Sequence, residues 1–341
     1  MNSRHKSIGI LFIVAIIIIA LFYNQKKEED TIEINIGYQS VTSQTWGALI
    51  IKNQKIYEKK LQELYPDKNI KVIWHDEISG SVINTSMISN KIDIGFMGDM
   101  PLLLNMYKSE TLEKYNATLI AFDGKGEYGK NQSIVVPKNS AINSIEDLKG
   151  KTISTPIGSS AHFMLMKILE NYNMLDKVEI VHQDVAMASQ MLSMNKTDAF
   201  AIWDPYPNYL EEEIQTKKVV DGIESNVDYL AGVIINNTLM ERDKLLVTTF
   251  IEAMQEAHEF IKNNKEEAAK IFAEESNFSY TVALAEIDTI KWEYSINDKD
   301  IETLVEKLEF LNNLNEIERF DIKKIYINKR GSKNEFCCMY K

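Results

Sequence analysis

Residues 91–101 read Lys-Ile-Asp-Ile-Gly-Phe-Met-Gly-Asp-Met-Pro, and they contain the structural unit from which the fold is built. Residues 93–97 are predicted to form a strand, in which Asp93 precedes the short run Ile-Gly-Phe-Met. A turn with Gly98 and Asp99 follows, and Pro101 then favours the start of a helix, where its missing N–H leaves no hydrogen bond unmade. The segment therefore predicts a strand, a tight turn and a helix in succession.

The same succession recurs on both sides of a polar, glycine-containing segment at residues 123–132, which we interpret as a linker. Strands that alternate with helices favour mainly parallel sheets with helices on both faces, and hence an α/β protein. Strands are predicted at residues 32–38, 70–74, 93–97, 117–122, 133–136, 152–154, 178–181, 199–203, 218–220 and 230–235. Helices are predicted at residues 46–65, 81–90, from 101 onward, a short one at 144–150, and at 160–173, 187–194, 241–263, 265–275, 280–292 and 300–313.

Five of the predicted strand-to-helix turns should line one cleft, because ligands of open α/β sheets bind beyond the C-terminal ends of the strands. Three turns carry glycine and small hydroxyl or capping residues at a helix start, whose unpaired N–H groups suit an anion. Ser159 and Ser160 equally fit an ordinary helix cap, and Gly80 equally fits a simple turn. The five turns are residues 37–40 with the stretch to Trp46, 79–81, 98–101, 156–160 and 203–206.

Composition and motifs argue against several classes of function. The net charge of −12 disfavours nucleic acid as a partner, because phosphate binding requires clustered Lys and Arg. The five histidines show no metal-ligand spacing with one another or with cysteine. Neither a Gly-x-Ser-x-Gly nucleophile elbow nor a Walker phosphate loop is present. We therefore predict no catalytic residue, no metal site and no cofactor, and a protein that is not an enzyme.

The N-terminus has the pattern of an export signal. Three basic residues at positions 4–6 precede an unbroken apolar run at residues 8–23. Because no small-x-small cleavage site follows the run, the sequence predicts an uncleaved signal-anchor and spacer at residues 1–30. The basic end would lie inside, and the rest of the chain on the extracytoplasmic face of the membrane. The alternative is cleavage at an atypical site, which would leave a periplasmic or secreted protein.

The C-terminal residues 321–341 are predicted to form a tail outside the folded part of the chain. This tail contains the only two cysteines, Cys337 and Cys338. Neighbouring cysteines form a bridge only with strain, so we expect no structural disulfide.

Four segments follow one another along the chain: Ile36-Gly-Tyr-Gln39, residues 91–101, Asp147-Leu-Lys-Gly-Lys151 with Gly158-Ser-Ser-Ala-His162, and Asp198-Ala-Phe-Ala-Ile-Trp-Asp-Pro205. In this order they resemble the solute-binding proteins of ABC importers in the nitrate/sulfonate/taurine group, which includes binders of pyrimidine precursors. The resemblance implies an α/β, two-lobed periplasmic-binding-protein-like (type II) fold with a central ligand cleft. It implies one lobe from residues 32–125 plus 228–320, and a second lobe from residues 126–227.

The segment Gly158-Ser-Ser-Ala-His162 resembles the sulfonate branch of this group, which implies a sulfonate held by backbone N–H groups and hydroxyls. Ser159, Ser160 and the Gly80-Ser81 turn are the candidates for this role. None of the four arginines lies in a predicted cleft turn, so helix dipoles would have to neutralise the anion.

Other candidates would bind the rest of the ligand. Asp99 and Asp204 suit the amine of a taurine-like zwitterion, although Asp204 equally fits a helix cap before Pro205. Trp203 and Tyr206 would pack on a carbon chain or a ring, as would Trp46 unless it faces the core. The full set of predicted ligand-binding residues is Gln39, Trp46, Gly80, Ser81, Gly98, Asp99, Met100, Gly158, Ser159, Ser160, His162, Trp203, Asp204 and Tyr206.

The predicted function is that of the extracytoplasmic solute-binding component of an ABC importer. A monomer would capture a small anionic or zwitterionic solute, an aliphatic sulfonate or taurine, by closure of its lobes and deliver it to the permease subunits. Nitrate or a thiamine-pyrimidine precursor is the alternative ligand, and a tethered ligand-sensing domain without transport is the alternative role. Pyrimidine-synthase relatives of this fold are enzymes, but their cysteine-rich motif has no counterpart here, since both cysteines lie in the tail.

Overall fold

The computed structural model describes residues 31–326. The predicted signal-anchor at residues 1–30 and the cysteine pair, Cys337 and Cys338, lie outside the described residues. Within residues 31–326, no helix combines the length and the apolar character needed to cross a membrane.

The strands of this part of the chain form two separate sheets, one of six strands and one of five. The first sheet has the order β11-β4-β10-β3-β1-β2, and the second has the order β7-β6-β8-β5-β9. The predicted α/β class is confirmed. The strands are β1 Thr31–Tyr38, β2 Asn69–Asp76, β3 Ile94–Gly98, β4 Ala117–Gly126, β5 Gln132–Pro137, β6 Thr152–Thr155, β7 Glu179–His182, β8 Ala199–Trp203, β9 Thr216–Asp221, β10 Tyr229–Asn236 and β11 Lys291–Trp292.

Helices cover the sheets, and we call each sheet with its helices a lobe. Phe96 and Met97 are neighbours on β3, so their side chains point to opposite faces of the first sheet, and each joins a different apolar cluster. The helices are α1 Gly47–Gln54, α2 Ile56–Leu64, α3 Gly80–Ile88, α4 Asp99–Thr111, α5 Ser160–Asn171, α6 Ala188–Ser193, α7 Tyr206–Ile214, α8 Asn237–Arg242, α9 Lys244–Asn263, α10 Lys265–Ser276, α11 Tyr280–Ile287 and α12 Asp298–Asn313.

The expectation of mainly parallel sheets is wrong. β1 is parallel to β2 and β3, and β6 is parallel to β7 and β8. The other five pairings, β3–β10, β4–β10, β4–β11, β5–β8 and β5–β9, are antiparallel. The chain passes between lobes from β4 to β5 and from β9 to β10. Because β5 and β10 enter their sheets from the side where the parallel strands end, they must run in the opposite direction.

Three local differences from the sequence prediction have clear causes. The helix predicted at residues 46–65 is broken at Lys55, which has a left-handed backbone (φ 52°) and joins α1 to α2. Part of the predicted linker belongs to β4: a Cβ at Gly124 would lie 2.7 Å from the Gln44 carbonyl oxygen, so glycine permits a close backbone approach within a strand. Residues 321–326, the start of the predicted tail, pack on the first sheet, where the Leu119 N–H donates to the Ile325 carbonyl at 2.8 Å.

Candidate ligand-binding site

A cavity of about 330 Å³ lies between the two sheets, at the C-terminal ends of their parallel strands. The helices α3 and α5 begin at this cavity, one from each lobe, with Ser79 and Ser159 as their N-cap residues. Helix starts present unpaired N–H groups and partial positive charge. Within residues 31–326, no lysine or arginine lines the cavity, and its charged side chains are Asp184 and Glu316. Where α3 and α5 begin, the positive electrostatic potential in the cavity therefore comes from helix dipoles and not from cationic side chains.

Eight of the predicted ligand-binding residues line this cavity. They come from all five predicted turns, which the structure brings to one cavity at the ends of the strands. The turn at residues 203–206 contributes only Trp203, the last residue of β8. The eight residues are Gln39, Gly80, Ser81, Gly98, Gly158, Ser159, Ser160 and Trp203.

Glycines shape two of these turns for different reasons. Gly158 has φ 81°, in the left-handed region that favours glycine, and nothing lies within 4 Å of a Cβ built there. A Cβ at Gly98 would lie 3.1 Å from the Ser160 Oγ of the other lobe. Gly158 therefore makes the turn into α5, while Gly98 lets the start of that helix approach the first lobe closely.

The two serines at the start of α5 already have partners. The Ser159 Oγ caps the helix by accepting from the His162 N–H at 3.2 Å. The Ser160 hydroxyl donates to the Asp99 carboxylate across the cleft at 2.6 Å. The Ser160 hydroxyl is therefore already used as a donor, whereas the Ser159 O–H is still free to donate, together with the unpaired backbone N–H groups of this helix start.

Two of the fourteen predicted residues belong to the core instead of the cavity. Trp46 is fully buried; its indole N–H donates to the Ser40 carbonyl at 2.8 Å, and its ring packs on Phe272 with centroids 5.0 Å apart. Met100 is fully buried in the cluster on the opposite face of the first sheet. The alternative interpretation of Trp46 as a core residue therefore matches the structure.

His162 and Tyr206 lie behind the cavity wall. The His162 Nδ1 accepts from the Gly158 N–H at 3.3 Å, and burial lowers the pKa of its imidazole, so the neutral ring holds the turn in place. Tyr206 packs edge-on against Trp203 and Phe278, and burial raises the pKa of its phenol to about 12. Both residues support the site from outside.

Asp99 is fully buried and its charge is compensated. Its carboxylate contacts the ammonium group of Lys307 and accepts from the Ser160 hydroxyl and, at 2.8 Å, from the Leu230 N–H. The Lys307 ammonium also donates to the Asp228 carbonyl at 2.7 Å. A ligand amine would therefore find no free carboxylate at Asp99.

Asp204 is also buried, beside the Glu286 carboxyl of the other lobe. Asn131 donates to one of its carboxyl oxygens at 3.2 Å, while the other has no hydrogen-bond partner among residues 31–326. Burial raises the pKa of Asp204; burial and the neighbouring Asp204 raise the pKa of Glu286 well above its ordinary value. Two adjacent buried carboxyl groups disfavour ionisation of both at once.

The sequence prediction missed several cavity residues. Thr42 lies between the predicted turn at residues 37–40 and Trp46, and its hydroxyl beside that turn is the signal that could have identified it. Tyr229 and Leu311 come from β10 and α12, which reach the cavity only after the chain has returned from the second lobe. Burial raises the pKa of the Tyr229 phenol well above its ordinary value, so the phenol remains a donor.

Comparisons with known proteins agree with this architecture. Residues 129–268 match the family described as NMT1/THI5 like. A protein of Escherichia coli (strain K12), named as an aliphatic sulfonates-binding protein, is 23% identical over 259 residues, which cover 75% of each chain. The taurine-binding periplasmic protein of the same strain is 28% identical over 143 residues, which cover 42% of each chain.

Solved structures share the whole fold. The alkanesulfonate-binding protein SsuA from Xanthomonas axonopodis pv. citri, bound to MOPS, has a TM-score of 0.72 at 18% identity and covers 86% of this chain and 98% of its own. The desulfurization enzyme DSZB has a TM-score of 0.64 at 14% identity, covering 87% of this chain and 96% of its own. The predicted periplasmic-binding-protein fold is confirmed, as is the resemblance to sulfonate- and taurine-binding proteins.

Proposed function

We propose that this protein is the extracytoplasmic solute-binding component of an ABC importer, and that it captures a small sulfonate-like anion between its lobes. One observation carries the proposal: the starts of α3 and α5 meet at a cavity that no lysine or arginine of residues 31–326 lines. The names of the sulfonate-binding and taurine-binding relatives support the same ligand class.

The physical basis is the match between the site and an anionic group that carries one negative charge and no proton. Backbone N–H groups at helix starts stabilise an anion without a formal positive charge. A sulfonate carries one charge spread over three oxygens, and all three accept hydrogen bonds. The apolar side chains of Pro101, Leu104 and Leu311 line another part of the cavity and suit the carbon chain of an alkanesulfonate.

Contacts between the lobes flank the cavity and support capture by closure. On one side Ser160 donates to Asp99, and the Lys167 ammonium pairs with Glu306 at 3.1 Å. On the other side Asn208 donates to the Glu286 carboxylate at 2.9 Å. These contacts join the lobes beside the cavity, and their opening would correspond to hinge motion of the two lobes.

A thiamine-pyrimidine precursor is the second candidate ligand. Trp203 and Tyr229 both line the cavity, and aromatic faces of this kind favour a planar ring. Nitrate would leave most of a 330 Å³ cavity unfilled.

Calorimetry on the full-length protein tests the proposal. The panel is 1-butanesulfonate, taurine, nitrate and an aminopyrimidine, and we expect the alkanesulfonate to bind with a Kd of about 1 μM or tighter, which corresponds to about −8 kcal/mol. Uptake of the same sulfonate by cells that carry or lack the gene tests delivery to a permease. Tight binding of the aminopyrimidine alone would transfer the assignment to that ligand, and failure to bind any sulfonate would end the proposal.

A further inference from the structure

Two donors at the cavity have no hydrogen-bond partner among residues 31–326: the Thr42 Oγ1 and the Trp203 Nε1. Both residues line the cavity, and Thr42 is only 2% exposed. A buried donor without a partner costs free energy comparable to a lost hydrogen bond. Such an atom in a ligand cavity indicates a position that an acceptor on the ligand would fill.

The two donors come from different lobes, and each lies one residue before a contact between the lobes. Thr42 follows β1 of the first sheet, and Trp203 is the last residue of β8 in the second sheet. The next residue on each side makes the connection, because the backbone N–H and the hydroxyl of Ser43 both donate to the Asp204 carbonyl, at 3.2 and 3.0 Å. Thr42 and Trp203 therefore flank a point where the lobes touch.

Nearby hydroxyls are already engaged. The Thr45 hydroxyl donates to the carbonyls of Gln39 and Thr42, at 2.8 and 2.9 Å. Ser43 donates to Asp204, and Ser160 donates to Asp99. Unlike these groups, Thr42 and Trp203 gain a partner only from outside the protein.

We infer that Thr42 and Trp203 together bind one oxygen of the ligand's anionic head group, with one donor from each lobe. This assignment rests on the proposed function and specifies how the ligand couples to closure: an oxygen held by both donors links the lobes, so only the closed form satisfies it. This oxygen must therefore carry no proton, so that it can accept a hydrogen bond from each of the two donors.

The same arrangement selects a sulfonate over a phosphonate with the same carbon chain. Near neutral pH a phosphonate carries either a second negative charge or a proton. A second charge would lack a cation at the cavity, because no lysine or arginine of residues 31–326 lines it. A proton would face donors rather than acceptors at Thr42 and Trp203, which leaves it without a partner there.

Calorimetry with 1-butanesulfonate and butylphosphonate on four full-length variants tests the inference. Thr42→Val and Trp203→Phe should each weaken sulfonate binding about tenfold, as expected for one lost hydrogen bond to a charged group. The double variant should lose less than the product of the two single losses, because both donors serve one oxygen. Thr42→Ser retains the hydroxyl and should stay within about twofold of the wild type.

Two matched controls separate the site from general effects on the fold. Thr197 is another buried threonine whose hydroxyl has no partner among the described residues, but it lies before β8 and away from the cavity. The indole N–H of Trp74 donates to Glu58, also outside the cavity. Thr197→Val and Trp74→Phe should bind the sulfonate as tightly as the wild type.

The outcomes separate the inference from the proposed function. If the wild type binds the sulfonate and Thr42→Val and Trp203→Phe bind it as tightly as their controls, the inference is overturned while the function stands. Equal affinity for butylphosphonate overturns the selectivity. If the wild type binds no sulfonate, the proposed function fails and the inference fails with it.

Discussion

Asp99 and Asp204 occupy equivalent positions in the two lobes and differ in their surroundings. Each follows the last residue of a strand that ends at the cavity, β3 for Asp99 and β8 for Asp204, and each is buried. Asp99 has an ammonium group and two further donors around its carboxylate. Asp204 has one amide donor and a second carboxyl group beside it, that of Glu286.

The difference shows that local sequence does not set the charge state of a buried carboxyl group. Lys307 reaches Asp99 from α12, and Glu286 reaches Asp204 from α11, both far along the chain. Lys307 forms an ion pair with Asp99, whereas burial raises the pKa of Asp204, and burial together with Asp204 raises the pKa of Glu286. Neither aspartate lines the cavity, so the amine of a zwitterion would meet Asp184 or Glu316 instead.

The largest effect should follow from removing the cation beside Asp99. Lys307→Met leaves a buried carboxylate unpaired, and we expect a loss of about 3–5 kcal/mol in the free energy of unfolding, measured with urea. Lys299→Met is the matched control on the same helix. Lys299 pairs with Asp228 but is about half exposed, so its loss should cost less than about 1 kcal/mol. Equal costs for the two variants would show that Lys307 stabilises the protein no more than a half-exposed ion pair does, and the distinctive role assigned to the surroundings of Asp99 would be wrong.

A smaller effect should follow from cutting the contact between Asp99 and the second lobe. Ser160→Ala removes a hydrogen bond to a carboxylate and should cost about 1.5–3 kcal/mol of stability. Ser159→Ala removes only the helix cap, with an expected cost of about 1 kcal/mol. Sulfonate affinity should fall more in Ser160→Ala, because its contact joins the lobes. A larger loss of sulfonate affinity in Ser159→Ala would show that the helix cap, and not the contact between the lobes, matters more for binding.

The smallest effect concerns pH and the pair formed by Asp204 and Glu286. A raised pKa means that the pair's contribution to stability is complete below the ordinary carboxyl range and is lost as pH rises through the raised values. Lys218 partly opposes this shift for both groups, and Asp221 adds to it for Asp204. Glu286→Gln retains a neutral partner, so its free energy of unfolding should decline less than that of the wild type from about pH 4.5 upward.

An opposite control for the pH experiment lies on β1. The hydrogen bond from Lys71 lowers the pKa of Glu33, so this contribution is present above the ordinary value and is lost as pH falls. Glu33→Gln should therefore change the acid limb of the stability profile, and Glu286→Gln the limb toward neutral pH. If the free energy of unfolding changes with pH in the same way for Glu286→Gln and the wild type, titration of Glu286 does not contribute to the pH dependence of stability.

Much of the fold was accessible from the sequence, because alternation and short apolar runs report burial directly. Ten of the eleven strands were predicted; the missing strand, β11, has only two residues and no pattern to detect. The direction of β5 and β10 could not be predicted, because it depends on the side from which the chain re-enters each sheet. The break at Lys55 was missed because a single left-handed residue leaves the helical periodicity almost unchanged.

The sequence by itself determined the α/β class, the turns that meet at the cavity and the lack of arginine within those turns. Only the tertiary structure decided which side chains remain free there: it tied Ser160 to Asp99, placed Trp46 in the core and left Thr42 and Trp203 without partners. The physical reason is that periodicity and turn chemistry are local properties, recorded in neighbouring residues. Hydrogen-bond pairing and charge compensation depend on groups brought together from distant parts of the chain.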